Sequence, residues 1–118
     1  MEKSQHERRQ HFRGKPRPGR VMPVRFRPTA VEGQDRPWVA AETRNIGIGG
    51  AFIASQAILP TGTFLTVELT LPTSDQIFTL PAVVRWVDGT LGMGVQFVGV
   101  DVDILLELND YFSSLTGL

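Results

Sequence analysis

The residues that could take part in chemistry lie in two short stretches, ERRQHFR at 7–13 and RNIGIGG at 44–50. The first contains Arg8, Arg9 and Arg13, and a guanidinium group suits planar, bidentate and stacking recognition better than an amine does. The second places three glycines within seven residues, although glycine weakens a strand. Glycine there indicates either a sharp turn or bulge, or a point where a molecule outside the chain approaches the backbone closely.

The sequence argues against an enzyme. It contains no cysteine, and its two histidines, His6 and His11, are five residues apart, which makes a poor metal site. Acid–base or nucleophilic catalysis needs a base beside the reacting group, and the strand region has neither histidine nor cysteine. Asp88, Asp101 and Asp103 fall in predicted turns or at a helix start, where capping explains them. GIGG matches neither the dinucleotide fingerprint nor the P-loop. No catalytic residue, metal site or cofactor is therefore expected.

Charge divides the chain into two parts, although the formal net charge is zero. Through Arg36 there are ten Lys/Arg against four Asp/Glu, and from Pro37 onward two against eight. A basic arm on an acidic body is either a solvated tail or an anion-binding element. The start of the sequence lacks the apolar segment of a signal peptide, and no apolar run approaches the roughly 20 residues of a membrane span. A soluble cytoplasmic protein is expected.

The elements that must position these residues follow from periodicity. Residues 1–20 carry few apolar side chains and predict a flexible basic arm, followed by one domain over 21–118. Alternation and turn residues predict six strands, at 21–27, 38–45, 51–55, 64–71, 77–88 and 91–98. On the fifth strand one face is predicted to carry Phe78, Leu80, Ala82, Val84 and Trp86. A spacing of three to four predicts a helix at about 102–116, lying across one opening of a barrel. The pattern indicates a mostly β domain, either a barrel or a sandwich.

The two stretches together resemble the PilZ domain family, bacterial receptors for cyclic di-GMP. The family pattern is Arg-x-x-x-Arg in an N-terminal arm, followed by Asp/Asn-x-Ser-x-x-Gly at a strand–turn. Arg9 and Arg13 match the first motif, and Asn45 and Gly50 match the ends of the second. Gly47 stands where the family has serine. The likeness continues through PTGTFLTVELTLP, AVVRWV, GMGVQF and the terminal helix.

This resemblance implies a small six-stranded antiparallel split barrel with a C-terminal helix, and a receptor whose arm becomes ordered over its ligand. The implied ligand-binding residues are Arg8, Arg9, Arg13, Asn45, Gly47 and Gly50. An arginine directly before the first motif implies that cyclic di-GMP binds as an intercalated dimer. The implied partner is an effector protein in motility, biofilm or pilus-related regulation, with no membrane partner.

Two other interpretations stay open. The first is a module of the same fold that binds proteins and not nucleotide, which the missing serine favours and the arginine pair opposes. The second is a general nucleic-acid binder, but only Phe12 and Phe26 interleave with the basic residues, so stacking platforms are scarce. No DNA or RNA partner is therefore expected. Trp38 and Trp86 are interpreted as residues of the core or the barrel rim.

Overall fold

The structure is a computed structural model that describes residues 21–29, 36–71 and 74–116. The predicted arm over 1–20 lies outside the described residues. The described residues form six strands and one helix, namely β1 (Pro23–Pro28), β2 (Val39–Ile46), β3 (Gly50–Ala54), β4 (Phe64–Thr70), β5 (Ile77–Asp88), β6 (Gly92–Phe97) and α1 (Val102–Thr116). Their bounds lie within a few residues of the predicted ones.

The strands close into a barrel in the order β1-β2-β3-β6-β5-β4, and every neighbouring pair is antiparallel. Closure occurs between β1 and β4, where Val24 faces Leu69 and Phe26 faces Val67. Closing a sheet removes its free edges, so each of the six described strands has a neighbour on both sides. The predicted fold, a mostly β six-stranded antiparallel barrel with a C-terminal helix, is confirmed.

The core lies inside the barrel, as strand β4 illustrates. Leu65, Val67 and Leu69 alternate along it and are at most 1% exposed, while Thr66 and Glu68 lie on the outer face. Burying each large aliphatic side chain contributes roughly 1.5–3 kcal/mol. The other large side chains that are fully buried include Met22, Phe26, Ile46, Ile53, Leu80 and Met93.

Helix α1 completes this core. Leu108 and Phe112, one turn apart, are 0% and 3% exposed and belong to the same apolar cluster as the strands. Asp103 lies in the first turn, where a negative charge interacts favourably with the helix dipole. Among the described residues, no helix is both long enough and apolar enough to cross a membrane.

A tight turn joins β5 to β6, as the sequence predicts. An Asp88 carboxylate oxygen accepts hydrogen bonds from the Thr90 N–H at 3.0 Å, the Thr90 hydroxyl at 2.9 Å and the Leu91 N–H at 3.2 Å. Because these bonds favour the charged form, the Thr90 N–H foremost, they lower the pKa of Asp88. Asp88 is therefore a turn residue, as predicted.

Two strand irregularities alter which side chains face outward. The register of β2 against β3 shifts between Thr43 and Asn45, and that of β5 against β6 shifts between Val84 and Trp86. The prediction that Trp86 shares a face with Val84 is wrong. Val84 is buried in the core, whereas Trp86 pairs with Gly94 on the outer face, because the extra residue at a bulge reverses the alternation.

Candidate functional site

The RNIGIGG stretch forms the connection from β2 to β3. Its ends are held by the Gly47 N–H, which donates to the Gly50 carbonyl oxygen at 2.9 Å. The Phe97 N–H of β6 donates to the Gly49 carbonyl oxygen at 3.0 Å. The turn is thus fixed to a third strand.

Glycine occupies positions 49 and 50 of this turn for different physical reasons. A Cβ atom on Gly50 would lie 2.2 Å from the Val95 carbonyl oxygen, so close strand packing requires glycine there. A Cβ on Gly49 would have no heavy atom within 4 Å. Within the described chain, the positive φ angles of glycine fall outside this turn, so unusual backbone conformation does not account for Gly49 either. Its exposed backbone is open to close approach from outside.

A row of four residues crosses the outer face of the barrel beside this turn. Asn45 on β2 pairs with Phe52 on β3, Phe52 with Gly94 on β6, and Gly94 with Trp86 on β5. The rings of Phe52 and Trp86 stack with centroids 5.1 Å apart and planes at 29°. A Cβ on Gly94 would lie 2.2 Å from the indole nitrogen of Trp86, so glycine allows the indole to lie close against β6. We call Phe52, Gly94 and Trp86 the aromatic shelf.

An exposed arginine flanks each end of this row. Arg44 and Arg85 are the extra residues at the two bulges, next to Asn45 and Trp86 respectively. The Nε–H of Arg85 donates to the Gln96 side-chain oxygen at 2.6 Å, and Gln96 pairs with Gly50 across β6 and β3. The arrangement places cations on both sides of an amide and two rings.

The chain enters the barrel beside the same bulge. The Met22 N–H donates to the buried Thr43 hydroxyl at 3.0 Å, and the Thr43 N–H donates to the Met22 carbonyl oxygen at 2.9 Å. Thr43 lies two residues before Asn45. Nine residue steps separate Arg13 from Met22, so an extended chain could place Arg13 up to about 30 Å from this anchor. The segment between Arg13 and Met22 is therefore long enough for Arg13 to reach the site.

The structure brings together one part of the predicted site. Asn45, Gly47 and Gly50 lie at a single turn, as predicted. The predicted ligand contacts of the arm, Arg8, Arg9 and Arg13, lie outside the described residues and stay predictions.

Sequence reasoning missed the aromatic shelf and assigned no role to Arg44 or Arg85. Only the strand register groups these residues, and register is a long-range property. The one local signal was the glycine at position 94, which has an apolar neighbour on each side in the sixth strand.

The chemical groups at this site are ones that proteins use to bind anions and flat rings. They are an amide, two guanidinium groups, two aromatic rings and backbone N–H groups. Among the described residues, no three His, Cys, Asp or Glu side chains gather where they could hold a metal ion. The arrangement suits an anion that also carries flat rings.

Comparison with known proteins agrees with this fold. The family model for the PilZ domain matches residues 7–114. Among solved structures, a crystal structure of the PilZ domain of CeSA from a cellulose-synthesizing bacterium is similar, with a TM-score of 0.56 and 17% sequence identity. The alignment covers 83% of this chain and 94% of that one. No curated protein sequence matches significantly. The structural likeness, at this identity, shows a shared fold.

Proposed function

Since the chain belongs to the PilZ domain family, we propose that it is a receptor for cyclic di-GMP and acts by binding, without catalysis. PilZ domains are in general receptor domains for this second messenger. The observation that carries the proposal is the open backbone at Gly49 beside Asn45 and the aromatic shelf. The protein would bind the ligand in the cytoplasm and would transmit the signal to an effector protein in motility, biofilm or pilus-related regulation.

The ligand's chemistry matches the groups on this surface. Cyclic di-GMP carries two phosphates and two guanines, whose edges offer O6 and N7 and whose faces can stack. Stacking of a base on an aromatic side chain is worth about 1–3 kcal/mol, and a bidentate arginine on guanine about the same. Trp86 and Phe52 are half-buried, so part of each ring stays accessible. Arg44 and Arg85 are exposed at either side and could approach the phosphates.

The basic arm supplies the other half of the proposed site. Arg8, Arg9 and Arg13 would bind the ligand from the side opposite the turn, and ordering of the arm would be the signal. Ordering a segment on binding costs conformational entropy, so several arginines must act together. The anchor at Met22 favours this arrangement, because Met22 is bonded to Thr43, two residues before Asn45. Because Arg8 directly precedes the first family motif, the resemblance also implies that the ligand binds as an intercalated dimer.

Isothermal titration with cyclic di-GMP tests this proposal. We expect binding with a dissociation constant on the order of ten micromolar or tighter, and two ligands per chain if the dimer forms. The double variant Arg9→Ala/Arg13→Ala should lose binding while keeping the thermal stability of the parent. The matched control is Arg17→Ala/Arg20→Ala, which removes the same charge from the same arm outside the motif. Equal binding by both double variants would refute the assigned arginines.

The second candidate function is a protein-interaction module that does not bind nucleotide. Gly47 in place of the motif serine favours it, because a hydroxyl there would contribute one hydrogen bond, typically about 1 kcal/mol or several-fold in affinity. The variant Gly47→Ser separates the two functions. A receptor should bind cyclic di-GMP several-fold more tightly after this change. Absence of heat from both proteins at about 100 µM ligand would refute the receptor proposal and leave the interaction module.

A further inference from the structure

A second cluster of arginine and aromatic side chains lies on β1, away from the site above. The guanidinium carbons of Arg25 and Arg27 each lie 4.4 Å from the centroid of the Trp38 ring. Both distances are well inside the roughly 6 Å over which a cation is attracted to an aromatic face. The two arginines are two residues apart on one strand, so both project from the outer face of the barrel. We call Arg25, Arg27 and Trp38 the Arg–Trp surface.

Contacts within the fold hold these guanidinium groups in place. The Nε of Arg25 lies 2.6 Å from a Glu68 carboxylate oxygen on the neighbouring strand β4. The Nη1–H of Arg27 donates to the Arg36 carbonyl oxygen at 3.4 Å. A guanidinium group that is already oriented loses less entropy when it binds, which distinguishes this surface from a set of mobile lysines.

Among the described residues, positive charge predominates on the Arg–Trp surface. Arg25 faces Glu68 across the strands, whereas Arg27 faces Thr66. Within the described part of the chain, this surface makes one ion pair, between Arg25 and Glu68. Strand β2 carries one carboxylate on this face, that of Glu42. Glu42 pairs with Pro23, which begins β1, whereas Arg27 lies near the end of that strand. Arg27 is thus an oriented cation whose cross-strand neighbour is neutral.

We infer that the Arg–Trp surface docks an acidic segment of a partner protein, with a carboxylate bound by Arg27 and an apolar side chain packed beside Trp38. Side chains two apart on an extended segment are separated by roughly 7 Å. The two guanidinium carbons, each 4.4 Å from one ring centroid, can be at most twice that distance apart. The spacing of alternating acidic residues on an extended partner falls within this limit. Phe64, which is 59% exposed near the end of β1, extends the surface with apolar area.

The composition favours a protein partner over the other anionic macromolecules. Arginine and aromatic residues are the types enriched at the centres of protein interfaces. Single-stranded nucleic acid needs free aromatic faces for its bases, but here two guanidinium groups lie against the indole. An anionic membrane is attracted by clusters of several cations beside a continuous apolar face, and Phe64 is a single exposed ring.

The two surfaces are far enough apart to be occupied together. Trp38 directly precedes β2 and Asn45 lies near its end, seven residues further on. Seven residues of strand span roughly 23 Å. A partner on the Arg–Trp surface would therefore not displace a ligand at the turn.

The two tryptophans of the chain give a direct test by ¹H–¹⁵N NMR. Each indole N–H gives one signal, and the signal that disappears in Trp38→Phe belongs to Trp38. The Trp38 signal then reports the Arg–Trp surface, and the Trp86 signal reports the aromatic shelf. The probe is a synthetic twelve-residue peptide with glutamate at alternate positions and leucine between them, added to the full chain. We expect the Trp38 signal to shift with peptide and the Trp86 signal to stay. Cyclic di-GMP should shift the Trp86 signal and leave the Trp38 signal, so the two proposals can fail separately.

Variants and two further probes complete the experiment. Arg27→Gln should reduce the peptide-induced shift of the Trp38 signal at least fivefold, whereas Lys15→Gln, with the same loss of charge, should leave it unchanged. Equal effects of these variants would overturn the inference, because binding would then follow net charge. Peptide-induced shifts confined to the basic arm would overturn it as well. The inference would also be overturned if a thymidine oligonucleotide or phosphatidylglycerol vesicles shifted the Trp38 signal and the peptide did not.

Discussion

Replacing Gly50 by alanine separates the structural glycine of the turn from the one proposed to admit a ligand. The new Cβ would lie 2.2 Å from the Val95 carbonyl oxygen, whereas ordinary contact begins at 3.4 Å. Strands β3 and β6 would have to separate by the difference, 1.2 Å, at the Gly50–Gln96 pair. The adjacent 3.0 Å hydrogen bond between the Phe97 N–H and the Gly49 carbonyl oxygen would then lengthen or break.

The expected cost combines two terms. Overpacking a tight contact costs about 1–3 kcal/mol, and losing one hydrogen bond costs about 0.5–1.5 kcal/mol. We therefore expect Gly50→Ala to lower the free energy of unfolding by about 1.5–4.5 kcal/mol. For a domain of this size the melting temperature should fall by about 5–25 °C.

Urea unfolding followed by far-UV circular dichroism measures this change, with Gly49→Ala as the matched control. Because a Cβ on Gly49 meets no heavy atom within 4 Å, that variant should stay within about 0.5 kcal/mol of the parent. It should nevertheless bind cyclic di-GMP more weakly, since the methyl group would stand in the proposed path of approach. Equal stability of the two variants would refute the packing argument, and unchanged affinity of Gly49→Ala would refute the argument for access.

Three other predictions concern the frame around the site. Thr43→Val should cost about 1–3 kcal/mol in urea unfolding, because it removes the hydroxyl that accepts from the buried Met22 N–H, and Thr43→Ser should recover most of that loss. In a Trp38→Phe background, which leaves Trp86 as the one tryptophan, Gly94→Ala should displace the indole and shift its fluorescence to the red; unchanged emission would contradict the close contact. The lowered pKa of Asp88 means that its stabilising effect is complete above the unfolded value of 3.8 and is lost as pH falls through the folded pKa. The difference in urea midpoint between the parent and Asp88→Asn should therefore be constant above about pH 5 and shrink as the pH falls below 3.8.

The strands could be predicted because their signal is local. Leu65, Val67 and Leu69 alternate with polar residues, and such a segment can bury one face in a single way. The helix followed from spacing alone, since Leu108 and Phe112 lie one turn apart on its apolar face. Neither inference needed to know which strands are neighbours.

The site was only partly predictable because it depends on neighbours. Asn45 and Gly50 could be located by their motif, which lies within one turn. The aromatic shelf joins three strands, and Phe52 and Trp86 are 34 positions apart in the sequence. Strict alternation also placed Trp86 inside the barrel, because nothing in AVVRWV marks the residue at which the register shifts.

The two bulges explain why cations and flat groups occur side by side on this face. In a regular strand only one of two successive residues points outward. At each bulge here two successive residues lie on the outer side, Arg44 with Asn45 and Arg85 with Trp86. A regular β5 would keep Arg85 outside and turn Trp86 into the core, which would remove one of the two rings of the aromatic shelf. The irregularities thus place charge beside a ring and beside an amide, an arrangement that suits the proposed binding of a nucleotide through its phosphates and bases. Removing one residue at the β5 bulge should therefore impair ligand binding more than the single change Arg85→Gln does.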